Sequence, residues 1–575
     1  MRIALTAPIL LAALAFDAGA DSASASPSSD AQQVDAAVAA WRLRFDPLYA
    51  YRTAHCSAAA SLRHELADLF LRLADRSRAT ACERLTAHSE TIRASFRDGS
   101  ASEEVADYDA RPGERLRFAL QHDGSEWAIS AVSADANDGT TLTLYDRAGK
   151  GTGTSTPTST ASDATIAPAA LSRWMPDGSA PWQVMHVITY GQSLSQGFFA
   201  RPVLSTRQRY ASLRFNGGVR ADDGVKASGE DAAYAGFVPL VETTSAEKAE
   251  TPTSGTLDMV MQLVEQENLR DAASLPYRLL GSAPGEGSQE VAQLSAPGPY
   301  YQQLVRDIRH GRQLAVAQHE SYGVGAITWS QGEADDADRT SIAAYEASLR
   351  ALRADVDHDA KAITGQRTDV EMVTYQVATA KSFDQPSPHI ALALLQASHD
   401  DPHIHLAVPM YLFRYVDGRH IDNRSARWLG AYYGLVIKRL VIDHRTWKPL
   451  EPIAWQRTAA IVTVRFNVPA PPLRWDTGQV AANRDYGFAL RAPDGHVVPI
   501  RSAAITAPDT ITITATQPIS PGTHLEYAFD GVGLAGNEYG PRGNLRDSQG
   551  DTIVFDDGIE RLRLDNWCVI FDVTL

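Results

Sequence analysis

Four rhythms of apolar and polar residues follow one another along this chain of 575 residues. From about 30 to 100, Val34, Val38, Trp41 and Phe45 recur at helical spacing, as do Leu62, Leu66, Leu69 and Leu73, and each set marks one buried helix face. The period then drops to two. Leu116, Phe118 and Leu120 lead to a turn at Asp123-Gly124, followed by Trp127 and Ile129, and a further strand spans Leu142–Tyr145. Residues 21–147 are therefore expected to form an α+β accessory domain. Gly149 to Thr165 is Gly, Ser, Thr and Pro with almost nothing apolar, so 148–173 reads as a linker.

Between 174 and 445 the runs become wholly apolar. Val184–Tyr190, Tyr277–Leu280, Val324–Trp329, Val370–Gln376 and Leu406–Leu412 read as strands buried on both faces. Helical patterns separate them, for example Ile342, Tyr345, Leu349 and Leu352, and a last helix after Asn423 carries Trp428, Leu429, Tyr432, Leu435 and Val436. This alternation predicts a three-layer α/β/α domain on a parallel sheet. From 446 to 575 helices disappear. Short strands at Ile461–Val468, Tyr486–Leu490, Ile511–Ile513, Leu525–Phe529, Ile553–Phe555 and Val569–Val573 alternate with Gly, Pro and Asp turns, the pattern of a β-sandwich.

Charge narrows the partners. A net charge of −16 with no Lys/Arg-rich run excludes a broad basic surface for nucleic acid or anionic membrane. Arg2, the apolar stretch Ile3 to Phe16 and the small residues Ala18-Gly19-Ala20 predict a signal peptide over 1–20 and an exported protein, periplasmic or extracellular. No later run is long and apolar enough to predict a membrane span. In an oxidising compartment Cys56 and Cys82 are candidates for a disulfide, and Cys568, beside Trp567, reads as a buried thiol. His403 and His405 lack a third partner at metal-ligand spacing, so neither metal nor other cofactor is expected.

Three short motifs carry the chemistry, each just past a predicted strand: Gly191-Gln192-Ser193, Trp329-Ser330-Gln331-Gly332-Glu333 and Asp417-Gly418-Arg419-His420. In an open α/β sheet, sites form beyond the carboxyl ends of the strands. A serine hydroxyl needs a base within reach and a group to orient that base. Ser193 offers the hydroxyl. Asp417 and His420, three apart, let the carboxylate hold one ring nitrogen while the other faces outward. An acyl-transfer site also needs donors for an oxyanion. Gln331 and the glycines of Gly285-Glu286-Gly287-Ser288 are candidates, although Gln331 could equally cap the next helix and the glycines could form a plain turn. For Asp417 and His420 the competing reading is a surface turn entering a helix capped by Asp422 or Asn423.

The motif set resembles the SGNH hydrolases, and within them carbohydrate esterases of the sialate O-acetylesterase and acetylxylan esterase type. The resemblance covers roughly the middle 270 residues and extends to Tyr190–Gly197, Leu213–Val219, His399–Pro402 and the Trp428-Leu429-Gly430 helix. It implies an SGNH/flavodoxin-like sheet, Ser193 as nucleophile, His420 as base and Asp417 as its orienter. It also implies an oxyanion hole from Gln331 with the Ser193 and Gly287 N–H groups, with Gly217 as fallback and Gln192 and Glu333 in support. The family pattern is neutral where this chain has Glu290. The implied activity is removal of O-acetyl or other small acyl groups from carbohydrate. An α/β-hydrolase is disfavoured, because Gly191-Gln192-Ser193-Leu194-Ser195 lacks the final glycine of that family's nucleophile elbow. The rivals are an SGNH lipase or thioesterase, and a non-catalytic glycan-binding or adhesion protein using Trp455, Trp475, Tyr486 and Phe488. Sequence does not address oligomeric state.

Overall fold

The computed structural model describes residues 103–111, 114–122, 127–135 and 141–146 by their backbone, and 178–575 except 269–271, 273–274, 557 and 559. The expected signal peptide, the N-terminal helices, Cys56, Cys82 and the linker lie outside the described residues. The chain divides into two units, one holding the strands between 103 and 146 and the other holding 178–575. In the first, β1 (Glu103–Arg111), β2 (Glu114–His122), β3 (Trp127–Asp135) and β4 (Thr141–Asp146) form an antiparallel sheet in sequential order. The sequence reading finds β2 to β4 but not β1, whose Glu103, Glu104, Asp107, Asp109 and Arg111 mask its alternation.

The second unit is built on a seven-stranded, mostly parallel sheet. Its strands are β5 (Val184–Gly191), β6 (Leu213–Phe215), β7 (Phe237–Pro239), β8 (Arg278–Ser282), β9 (Tyr322–Ser330), β10 (Glu371–Gln376) and β11 (Ile404–Pro409). The spatial order is β11-β10-β9-β5-β8-β6-β7, with only β7 antiparallel. The five main parallel strands, taken in chain order as β5, β8, β9, β10 and β11, lie in the spatial order β8-β5-β9-β10-β11, which is the flavodoxin-like 2-1-3-4-5 order. The three-residue strands β6 and β7 extend this sheet beyond β8, with β6 meeting β8 at a single position, Leu213 opposite Leu280. Every residue of β5 and β9 is buried, as a sheet covered on both faces requires. The chain reverses direction across the sheet between β5 and β9, so their carboxyl ends form a crevice.

Helices Pro252–Glu267 and Asn423–Ile437 pack on each other and on the sheet, while Pro299–Ala317, Ile342–Thr364 and His389–Asp400 form a second packed set. The first pair crosses at glycines. A Cβ on Gly430 would lie 2.1 Å from the Pro252 carbonyl oxygen, and one on Gly255 would lie 2.1 Å from that of Arg427. β11 ends at Pro409 and Met410–Leu412 form a 3₁₀ turn, shorter than the apolar run suggests. Asp422 caps Asn423–Ile437 by accepting from the Ser425 N–H at 2.8 Å.

The region from Glu451 onward is β-rich, with two four-stranded antiparallel sheets and two small ribbons. Strand Ile461–Asn467 alternates exposed and buried residues, and Phe466 on one sheet meets Phe571 on the other. Buried hydrogen bonds bind this region to the parallel sheet. Gln376 exchanges two with Ile570, at 2.8 and 2.6 Å, and Tyr411 Oη donates to the Cys568 carbonyl at 2.6 Å. The Cys568 thiol is fully buried, and burial followed by the Glu451 charge holds its pKa well above the usual value. Among the described residues no helix is long and apolar enough to cross a membrane.

Candidate active site

Gly191 ends β5 with φ of 140°, and a Cβ there would lie 2.2 Å from the Ser330 carbonyl oxygen on β9. Only glycine meets both demands. The chain then turns sharply. Gln196 N–H and Phe198 N–H both donate to the Ser193 carbonyl at 3.1 Å, which leaves the Ser193 hydroxyl at the carboxyl end of the central strand. Gln192 is buried, and its side-chain oxygen accepts the Ala334 N–H at 3.2 Å. This contact ties the Ser193 turn to the helix Glu333–Asp338.

The partner group comes from a hairpin beyond β11. Tyr415 bridges Ile421, Val416 N–H donates to the His420 carbonyl at 2.8 Å, and Gly418 at the tip has φ of 80°. Asp417 Oδ1 accepts the backbone N–H groups of Arg419 and His420 at 2.9 and 2.7 Å, freeing Oδ2 for His420 Nδ1 at 2.7 Å. His420 Nε2 lies 3.0 Å from Ser193 Oγ. An ionised carboxylate only accepts, so Nδ1 carries the hydrogen and Nε2 is free to accept from the serine. Partial burial acts to raise the Asp417 pKa, but the His420 ring and the two backbone donors outweigh it and hold the group below its ordinary value. Phe198 and Phe199 flank the imidazole, at centroid distances of 6.2 and 5.0 Å. Sequence reading missed both, since adjacent phenylalanines in a loop carry no periodicity.

The expected oxyanion donors fare differently. Gln331 is fully buried. Its amide nitrogen donates to the Gln289 carbonyl at 3.1 Å and Asp335 Oδ2 at 2.6 Å, and its oxygen accepts from Tyr345 Oη at 2.9 Å. Both amide hydrogens are used, so the structure does not bring Gln331 to Ser193 as a free donor. It braces the loop instead. The Gly217 N–H is likewise taken, by the Ala233 carbonyl at 2.7 Å, which removes the fallback. Gly287 stands against the edge of the Phe198 ring, with its N–H on the Glu286 carboxylate at 3.1 Å. The Ser193 N–H has no hydrogen-bond partner among the described residues.

Behind the crevice lies an acidic patch whose register sequence alone could not interpret. Glu333 accepts the Tyr375 hydroxyl on both oxygens, at 2.9 and 2.8 Å. Burial pushes its pKa to about 7. Burial, then the Glu333 charge, pushes Asp336 to about 8. Asp335, also raised by burial, accepts the Val291 N–H at 2.9 Å as well as Gln331. Asp335 thereby links two loops of the crevice. Glu290 shares a hydrogen bond with Asp338 that raises its pKa. His403 and His405 both meet Glu371, at 3.2 and 2.8 Å, and among the described residues no group of three or more His, Cys, Asp or Glu is arranged to hold a metal.

No family model matches the chain, and a search of curated proteins gave no match. Among solved structures the chain is similar to a carbohydrate acetylesterase from Xanthomonas citri, at 12% identity over 82% of this chain and 95% of that one, with a TM-score of 0.43. It is also similar to a protein from Arabidopsis thaliana, at 13% identity over 45% of this chain and 98% of that one, with a TM-score of 0.33. Likeness at this level says nothing about activity, so the reading of the site rests on its own geometry.

Proposed function

We propose that this protein is a serine esterase of the SGNH kind that removes small acyl groups, acetyl foremost, from carbohydrate hydroxyls. The observation that carries the reading is the unbroken relay from Asp417 Oδ2 through both nitrogens of His420 to Ser193 Oγ, at 2.7 and 3.0 Å. In this reading His420 Nε2 takes the Ser193 proton as Oγ attacks the ester carbonyl. The oxyanion is received by the Ser193 N–H and by the Gly287 N–H once the Glu286 carboxylate swings aside. His420 returns the proton to the departing sugar hydroxyl, leaving an acyl-serine. Water then attacks the acyl carbon as His420 takes its proton, the bond to Oγ breaks as His420 passes that proton to Ser193, and the carboxylic acid is released. Asp417 stays ionised throughout and steadies the imidazolium.

The test has two parts. Ser193→Ala, checked for folding by circular dichroism, should lose about 10⁴- to 10⁶-fold in kcat. A folded variant within about tenfold of the parent would remove Ser193 from the reaction. Acetate release is then screened on acetylated xylan, acetylated sialic acid, peptidoglycan and bacterial polysaccharides, with long-chain esters alongside. Preference for long-chain esters would move the reading to a lipase.

A further inference from the structure

Among the described residues ten large apolar side chains are exposed, and five of them belong to the relay's own segments or to the loop packed on its hairpin: Phe199, Val416, Val532, Leu534 and Tyr539. Scattered exposed apolar residues need no explanation, but a cluster marks a contact surface. Phe199 touches the His420 ring. Val416 sits in the hairpin that carries Asp417 and His420. The other three lie on one loop of the C-terminal β region, closed by Val532 N–H on the Tyr539 carbonyl at 3.0 Å. This loop is seated on the catalytic hairpin. A Cβ added to Gly418 would lie 3.1 Å from a Leu534 methyl, and the Asn537 N–H donates to the Phe413 carbonyl at 3.2 Å.

The chemistry of ester cleavage says which part of a substrate meets this surface. The departing alcohol oxygen must reach His420 Nε2 to be protonated, so the alcohol projects over the hairpin. The carbonyl oxygen points instead toward the Ser193 N–H. We propose that loop 531–540 is the alcohol-side subsite of the enzyme, and that its occupant is the chain of sugar rings adjoining the acylated one. Pyranose rings present flat C–H faces to Leu534 and Tyr539, and their hydroxyl edges need donors. Arg419, exposed in the hairpin with its guanidinium 4.8 Å from the Phe383 ring, supplies them. An alkyl alcohol would leave that guanidinium unused. The inference rests on the carbohydrate esterase reading and adds that the substrate is an oligomer or polymer.

Chemically acetylated xylose and acetylated xylan oligomers serve as probes, with 4-nitrophenyl acetate reporting the relay. The full chain should favour oligomer over monomer by about tenfold in kcat/KM, and Tyr539→Ala and Leu534→Ser should each erase most of that preference through KM. Val497→Ser, an exposed apolar residue outside this cluster, should keep it. Equal treatment of monomer and oligomer by the parent, or an unchanged preference in both loop variants, overturns the subsite. So does a Leu534→Ser loss as large on 4-nitrophenyl acetate as on the oligomer, which would mean the loop only holds the hairpin. Hydrolysis of 4-nitrophenyl acetate with no acetate released from either saccharide defeats the carbohydrate reading itself, and the subsite with it.

Discussion

Asp417 makes three contacts in the hairpin, two with backbone N–H groups and one with the His420 ring. Exchange of its carboxylate for an amide keeps the shape and reverses the hydrogen-bonding sense toward Nδ1. Asp417→Asn should therefore hold the imidazole in the wrong tautomer and lower kcat by about 10⁴-fold, with the melting temperature little changed. Gln331 behaves in the opposite way. Its carboxamide satisfies Asp335, the Gln289 carbonyl and Tyr345 inside the protein, so Gln331→Ala should cost about 1–3 kcal/mol of stability. Its fall in kcat should stop short of the about 10²- to 10³-fold that marks a lost oxyanion donor. Kinetics and urea unfolding on the one variant separate these roles. The sequence shows that an amide stands at 331, but not that both its hydrogens are already taken.

Among elements, helices Pro252–Glu267 and Asn423–Ile437 bring their main chains together at Gly255 and Gly430. A methyl group at Gly430 meets a main-chain oxygen at 2.1 Å, which cannot yield as a side chain could. Gly430→Ala should destabilise the protein by at least about 1–3 kcal/mol, read as a lower urea midpoint. Loss of the Asp422 cap at the start of the same helix should cost about 1 kcal/mol. The parallel strands were legible because burial on both faces writes an unbroken apolar run into the sequence. The three-residue strands β6 and β7 were not, since a run that short carries no period. β1 was hidden by charge.

At the scale of the whole molecule, buried carboxylic acids set the response to pH. Burial holds Asp307 and Glu333 at about 7 and Asp336 at about 8. The folded protein therefore keeps protons that the unfolded chain has shed, and stability falls as pH rises through these values. His186, fully buried and lowered to about 3 by burial, acts in the opposite sense, but its contribution is complete once pH exceeds its ordinary value. The urea midpoint should therefore decline from about pH 7 to about pH 9, and Asp336→Asn should flatten the decline. A midpoint that rises over this interval would contradict the assignment.

What the sequence determined by itself was local. Apolar runs specified the parallel strands, a glycine at 191 specified the close turn before Ser193, and the spacing of Asp417 and His420 specified a carboxylate–imidazole pair on one turn. These follow from forces acting within a few residues. Tertiary structure alone decided the strand order, with β8 between β5 and β6, because pairing partners far apart in sequence compete on packing that no local pattern records. It decided that Ser193 and His420, 227 residues apart, meet at 3.0 Å. It also turned Gln331 from donor to brace, because a side chain's free hydrogens depend on which distant carbonyls and carboxylates fold against it.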